Sequence, residues 1–338
     1  LMSLIDRHMR EGKNQYAPME GAPALRERIA GKSAECYGAF WDPSSEVTVT
    51  AGATEALFAA VMAAVRPGDE VIIFEPAYDS YGPSIRLAGG VPVPLKMRFP
   101  QYSIDWDEVR DALTGRTRMI ILNSPHNPTG AVLDRSDMES LIHIVEGTGI
   151  VLLADEVYEH IIFDGRRHES ISRYPELASR GFVVSSFGKT YHATGWKVGY
   201  CCAPAPLSRE FRKVHQYLTF AVNHPVQLAF ADFMEKKEPY LGLPAFYQRK
   251  RDLFLDLVSG SRFRAAPSGG TYFQMLDYSA ITDEPDTAFA RRMTETMGVA
   301  AIPPSVFYRD GTDNHVLRFC FAKRDETLRE AAKCLCRI

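Results

Sequence analysis

MIILNSPHNPTGAVLDRSDMESLIHIVEGTGIVLLADEVY, residues 119–158, decides how the chain folds. It opens on an unbroken apolar run, Met119–Leu122, and returns to another at Ile150–Leu153. Between them lie a proline-punctuated turn, Asn123–Gly130, and a stretch at helical spacing, Asp134–Val145. Two short strands joined by a helix make a parallel pair, because the helix carries the chain back to where the second strand begins. Strands without polar alternation are buried on both faces, so helices cover the sheet above and below.

The same rhythm extends both ways. Upstream, Glu46–Thr50 alternates apolar and polar residues, and Thr54–Val65 follows at helical spacing until Arg66-Pro67-Gly68-Asp69 stops it. Then come Val71–Phe74, a helical stretch through Ile85, Val91–Leu95 and the helix Asp105–Leu113. Downstream, Phe182–Ser185 and Trp196–Cys202 read as two more strands. The last hundred residues change character. A long charged helix, Tyr240–Val258, precedes Arg262–Ala265, Thr271–Tyr278, the helix Asp286–Met297, Val299–Ile302, Val316–Phe321 and a final helix, Asp325–Cys336. Strands and helices at hairpin-like spacing indicate a separate, smaller α+β domain.

Composition narrows the function. A chain of 338 residues exceeds what one small core usually organises. The formal net charge of −3, with no long basic run, argues against nucleic acid as a partner. No apolar stretch is long enough to span a membrane, and no signal peptide opens the sequence. The six cysteines (Cys36, Cys201, Cys202, Cys320, Cys334 and Cys336) contain no CxxC pair. They fit neither a disulfide framework nor a zinc site, so they read as small buried hydrophobes in a reducing cytoplasm, and no metal is expected.

In open α/β sheets, ligands gather at the carboxyl ends of strands. Asn123 and Asn127 follow one such end, Asp155 a second and Lys189 a third. Pro125 and Pro128 fix φ and remove donors, so the turn between them is rigid and can present two amides, although a plain connection also explains it. Asp155 and Glu156 are expected to be buried, where a carboxylate needs a partner; the plainer role for Asp155 is capping the next helix. Tyr158 can turn its hydroxyl to the same place. Most lysines are solvated surface charges. Lys189 instead lies in the small-residue loop SFGKTYHATGWKVGY (186–200), where a desolvated amine loses its proton and attacks aldehydes. Gly52-Ala53-Thr54 turns a strand into a helix, which aims free N–H groups and a positive helix end at an anion such as phosphate. His192 invites a general-base role, but a packed or hydrogen-bonded loop histidine is the better reading, and Trp196 reads as packing. One cofactor uses a nucleophilic lysine, a carboxylate, an amide, a phenol, an aromatic face and a phosphate cradle together, and that is pyridoxal phosphate.

These segments resemble the fold-type-I aminotransferases of class I/II, above all the methionine aminotransferases and the kynurenine/glutamine aminotransferases. The matching words are Asn14-Gln15-Tyr16, Gly52–Ala56, Glu75–Tyr81, Asn123–Gly130, Asp155–Tyr158, Ser186–Gly199 and Arg318–Lys323. The resemblance covers essentially the whole chain. It implies a mostly parallel seven-stranded sheet with helices on both faces, plus a smaller α+β domain. The large, cofactor-binding domain would span 18–238, and the small one 1–17 with 239–338. It implies that Lys189 is the Schiff-base lysine and shuttles the substrate's α-proton. Asp155 would pair with the pyridine nitrogen, Tyr158 and Asn127 with the ring oxygen, and Tyr78 would stack on the ring. Ala53, Thr54, Ser186 and Lys197 would hold the phosphate. Tyr16 would reach the phosphate of a neighbouring subunit, making the protein a homodimer with shared sites. Arg318, otherwise an ordinary strand arginine, would grip the substrate carboxylate with Asn127.

The expected activity is amino transfer from a neutral or aromatic L-amino acid, methionine first, to a 2-oxo acid. No second arginine suited to a dicarboxylate is evident in the sequence. The alternative is a carbon–sulfur β-lyase acting on cystathionine or cysteine conjugates with the same lysine and cofactor. A non-catalytic relative that borrowed the fold is a weaker reading, given Lys189, Asp155 and Arg318 together. The family's N-terminal arm, with its Gly-Phe-Pro-Asp-type segment, has no counterpart here. Either the sequence is truncated before that arm or the lid is not part of it.

Overall fold

Along the central strands, alternate residues enter two different cores. In the computed structural model, which describes residues 1–338, seven strands form one sheet. They are β1 (Val47–Thr50), β2 (Glu70–Glu75), β3 (Val91–Lys96), β4 (Thr117–Asn123), β5 (Val151–Asp155), β6 (Gly181–Ser186) and β7 (Gly199–Cys202), in the order β1-β7-β6-β5-β4-β2-β3. Strands β3, β2, β4, β5 and β6 are parallel, and β7 runs antiparallel to both β6 and β1. This is the mostly parallel seven-stranded sheet expected from the sequence. Val71, Ile73, Met119, Ile121, Val151, Leu153, Phe182 and Val184 bury one face under the helices Ala53–Ala64 and Ala205–Leu218. Ile72, Phe74, Ile120, Leu122, Leu152, Ala154 and Val183 bury the other. Each fully buried Leu, Ile or Val contributes roughly 1.5–3 kcal/mol. That is why the strands carry continuous apolar runs.

Local chemistry sets the element ends. Asp134 accepts from the amides of Ser136 and Asp137, and the Asp137 side chain answers from the third helical position, closing a capping box on the helix Arg135–Val145. The helix Ala53–Ala64 packs its alanines flat on the sheet, with Ala56, Ala59 and Ala60 fully enclosed. A second sheet pairs β8 (Phe273–Asp277) with β9 (Val316–Cys320), antiparallel, with Met275 opposite Arg318.

Several expected elements are shorter. The long helix is two helices, Glu238–Leu241 and Leu243–Val258, because Pro244 in the first turn of the second has no N–H to continue the first. Arg262–Ala265 and Val299–Ile302 each make only one bridge, Arg264 to Asp277 and Ile302 to Arg318, since Pro267 and Pro303 cut their ladders short. Strand β7 begins at Gly199 instead of Trp196: residues Thr194–Trp196 form a 3₁₀ turn, and Lys197 is left-handed at φ 53°. Four helices of nine residues or more have no counterpart among the expected elements: Met2–Arg10, Pro23–Tyr37, Ala205–Leu218 and His224–Phe233. All six cysteines are free, but only Cys201 and Cys202 are buried and Cys336 is exposed, so the buried-hydrophobe reading holds for that pair alone. No helix is long and apolar enough to cross a membrane.

Candidate active site

The carboxyl ends of β4, β5 and β6 and the helix start after β1 open onto one cavity of about 220 Å³. Ala53, Thr54, Tyr78, Asn127, Asp155, Tyr158, Ser186, Lys189 and Lys197 all line it. Residues separated by well over a hundred positions meet there because the strand order brings β1 beside β7 and β6 beside β5. Lys189 sits in a single helical turn, Phe187–Thr190, and not in an open loop as the sequence suggested. The turn follows directly from Ser186, the last residue of β6, so the sheet itself fixes where the lysine emerges.

Asp155 ends β5 and is almost wholly enclosed. Its Oδ2 accepts a hydrogen bond from Tyr81 Oη at 2.7 Å, and its Oδ1 accepts a longer one from the Val157 amide at 3.4 Å. Burial raises its pKa to about 6, against the lowering effect of the Tyr81 hydroxyl. It therefore does not serve simply as a helix cap. Burial also holds the Tyr81 phenol, and that of Tyr158, well above the usual value, so both hydroxyls keep their protons. Tyr78, which lines the cavity, meets Tyr81 edge to face with ring centroids 5.6 Å apart.

On the far side of the cavity, Asn127 Oδ1 accepts from Arg318 Nη1 at 2.6 Å. Asn123 Oδ1 receives the Asn127 amide at 2.9 Å, and Asn123 Nδ2 donates to the Asp155 carbonyl at 2.9 Å. The turn that two prolines make rigid is thereby tied to the end of β5. Arg318 does not line the cavity itself. Its guanidinium lies 4.1 Å from the Phe273 ring centroid and 5.4 Å from that of Phe307. Burial draws its pKa below the ordinary value, but an arginine stays charged.

The helix Ala53–Ala64 begins at this cavity with no side chain capping it. Its N-cap, Gly52, has φ 80°, and a Cβ there would meet Lys197 Nζ at 3.3 Å. A Cβ on Gly199 would lie 2.8 Å from both the Ala53 nitrogen and the Ser185 carbonyl oxygen. Only glycine lets β7 come this close to the helix start. Bare amides, the Thr54 and Ser186 hydroxyls and the Lys197 ammonium thus surround a cradle shaped for an anion.

Of the expected site residues, Arg318 reaches the cavity only through Asn127, and Tyr16 does not join the group at all. It is 81% exposed and packs edge to face on Phe220, with centroids 5.4 Å apart. His192 is exposed and hydrogen-bonds Tyr247 through Nδ1 at 3.1 Å, as a bonded loop histidine should. Trp196 packs on Phe230 at 5.8 Å. The letters alone give no sign of the parts played by Tyr81, Tyr272 and the Phe273–Phe307 pair. Tyr81 stands inside the quoted word Glu75–Tyr81, but nothing in the letters ties it to Asp155. A larger cavity, about 710 Å³, lies behind Tyr81 and Asn123, yet Lys189, Lys197 and Asp155 do not line it. The smaller one holds the chemistry.

Comparison with known proteins agrees with this geometry. The family described as aminotransferase class I and II matches residues 2–335. A methionine aminotransferase of Escherichia coli is 50% identical over 334 residues, covering 98% of this chain and 86% of the relative. A mouse kynurenine–oxoglutarate transaminase is 33% identical over 356 residues, covering 96% of this chain and 84% of its own. A solved Escherichia coli structure, described by a methionine aminotransferase function, superposes with a TM-score of 0.98 at 50% identity, covering 100% of this chain and 89% of the other. With the family matched almost end to end, this chain belongs to the class I and II aminotransferases.

Proposed function

We propose that this aminotransferase takes its amino group from a neutral L-amino acid, methionine above all, and passes it to a 2-oxo acid on pyridoxal phosphate. The observation that carries the reading is the convergence of Lys189, Asp155 and Asn127 on one cavity, with Arg318 joined to Asn127 at 2.6 Å. Methionine is favoured by the half-identical relative that bears that name, and the apolar rings of Phe273 and Phe307 beside Arg318 suit a neutral side chain.

The residues fit the cofactor on which this family depends. The uncapped helix start with Ala53, Thr54, Ser186 and Lys197 suits a phosphate dianion. A buried carboxylate bonded only to a phenol and an amide suits a protonated ring nitrogen. When bound, pyridoxal phosphate supplies an electron sink for the pair released as a bond to the substrate's α-carbon breaks. Asp155 would keep a bound ring nitrogen charged, Tyr158 and Asn127 would hold the ring oxygen, and Tyr78 would lie against the ring. Lys189 would hold the cofactor through Nζ and would take and return the substrate's α-proton at the same atom. Arg318 grips the substrate carboxylate, a charge-assisted contact of about 1.5–3 kcal/mol.

The same reading places Arg318 in a small domain, 1–17 with 239–338, and the cofactor in a large one, 18–238. Tyr16 from a second copy would complete the phosphate site, making a homodimer. Tyr16, Tyr217 and Phe220 are exposed apolar rings that such a dimer would cover.

The decisive test is one half-reaction. Loaded protein is mixed with L-methionine without acceptor, and the products are read by mass spectrometry. The expected result is 4-methylthio-2-oxobutanoate with loss of the visible band, both abolished by Lys189→Ala. Failure to transfer from any neutral amino acid overturns the substrate class. Pyruvate and a thiol from cysteine conjugates, without acceptor, would replace transfer by β-elimination.

A further inference from the structure

Tyr272 has no role in the scheme above, yet its hydroxyl accepts a hydrogen bond from Lys189 Nζ at 3.0 Å. It is the hydrogen bond that the lysine side chain makes. Lys189 Nζ also stands 5.7 Å from the ring centroids of both Tyr158 and Tyr272. Those two rings meet edge to face with centroids 5.2 Å apart. The amine therefore sits in a corner of two aromatic rings, with an oxygen acceptor on one of them.

The backbone before Tyr272 is held in an unfavourable shape. Thr271 is fully buried and left-handed, at φ 66°, where a β-branched residue is strained. Its amide donates to the Ile161 carbonyl at 2.9 Å, and its Oγ1 accepts from the Phe273 amide at 3.1 Å, which holds it there. The result is that successive residues serve two points of the site. Tyr272 meets the lysine amine, and Phe273 lies against Arg318.

We propose that Tyr272 is the positioning residue for the free amine of Lys189: its hydroxyl holds one N–H and so aims the nitrogen lone pair at the substrate's α-carbon. The inference rests on the reading of Lys189 as the carrier of the α-proton. As the substrate's Cα–H bond breaks, the proton goes to the Nζ lone pair and the bonding electrons to the sink that bound cofactor supplies. Tyr272 exchanges no proton. It accepts an N–H from the amine before transfer and from the ammonium after it.

Tyr272→Phe is the test, since it keeps the ring contacts and deletes only the oxygen. In cofactor-free protein, Lys189 is acylated at one fixed pH and its labelled peptide quantified over time. Losing the acceptor releases the amine from its hydrogen bond, so the labelling rate should rise about three- to tenfold. In loaded enzyme, kcat with methionine should fall about three- to tenfold with KM little changed. The isotope effect from α-deuterated methionine should rise. A packing role would move none of these, and thermal unfolding of the variant reports that the fold is intact. An unchanged labelling rate and kcat, or a change in KM alone, overturns the inference. Lys189→Ala is run in parallel: if it still forms product, the reading of Lys189 itself fails, whereas an inactive Lys189→Ala beside an unaltered Tyr272→Phe removes Tyr272 alone.

Discussion

Replacing Tyr81 by Phe removes one oxygen from the floor of the site and should change how the protein binds its cofactor with pH. Tyr81 donates to Asp155 Oδ2 at 2.7 Å, and both groups are buried. A hydrogen bond to a buried carboxylate contributes about 1.5–3 kcal/mol, and each pKa unit corresponds to about 1.4 kcal/mol. Losing the donor should therefore raise Asp155 by about one to two units from the wild-type value of about 6. If only the ionised carboxylate holds the protonated ring nitrogen, the variant should bind pyridoxal phosphate about 10- to 100-fold more weakly below pH 6. The deficit should shrink to about 2- to 10-fold at pH 7 and nearly vanish at pH 9, where both proteins are ionised. Titrating cofactor-free wild type and variant at each pH, followed by tryptophan quenching, measures the ratio directly. A deficit equal at every pH would mean that Tyr81 shapes the pocket without tuning Asp155, and the electrostatic account would fall.

Three further outcomes follow from the geometry. Arg318→Ala should lower kcat/KM for methionine about 10- to 150-fold, because a charge-assisted carboxylate contact disappears; steady-state kinetics would show it, and an unchanged ratio would remove Arg318 from substrate binding. Lys32 Nζ lies 2.6 Å from Glu159 Oε1 with both side chains buried, so Lys32→Met should cost about 3–5 kcal/mol in denaturant unfolding by leaving a buried charge unpaired. Burial pushes Glu159 up, but Lys32 overrides it and holds the carboxyl well below its usual range, so wild type should keep this contribution at neutral pH and lose it only in strong acid, and the variant's unfolding curve should depend less on acid. If the proposed dimer forms, Tyr16→Phe should leave monomer stability unchanged, since the ring is exposed, yet weaken cofactor binding in the dimer; dialysis against phosphate buffer, with the oligomeric state checked by sedimentation, separates the two.

How much of this was legible in the letters depends on whether a feature is local. The strands of the sheet were readable because both faces are buried, so their apolar runs stand out. The lysine, the aspartate and the helix-start cradle were readable because each falls at a strand end, where the fold gathers ligands. Tyr81 and Tyr272 were not, because what matters is a hydroxyl meeting a partner 74 or 83 positions away. No spacing rule carries that information. The ends of the small-domain strands failed for a different reason. Arg262–Ala265 and Val299–Ile302 have strand-like composition, but neighbouring prolines limit each to a single bridge, and only the partner strand shows where pairing stops. Helices such as Pro23–Tyr37 were overlooked because their polar and buried residues mix: Arg26 and Lys32 are both enclosed there, against the usual pattern.

The place of β7 has a consequence for biosynthesis. Strand β1 is the first strand of the sheet to leave the ribosome, but it pairs only with β7, Val47 opposite Cys202 and Thr50 opposite Gly199. It must wait for about 150 further residues before it has a neighbour, and such long-range pairings close slowly. The proposed phosphate cradle joins the end of β1 to the start of β7, so it does not exist on a nascent chain that stops short of Gly199. Cofactor can therefore stabilise only a completed sheet, adding about 2.7 kcal/mol when present at a hundred times its dissociation constant. Cells short of the vitamin from which the cofactor is made should accumulate less of this protein by degradation, even where its message is unchanged.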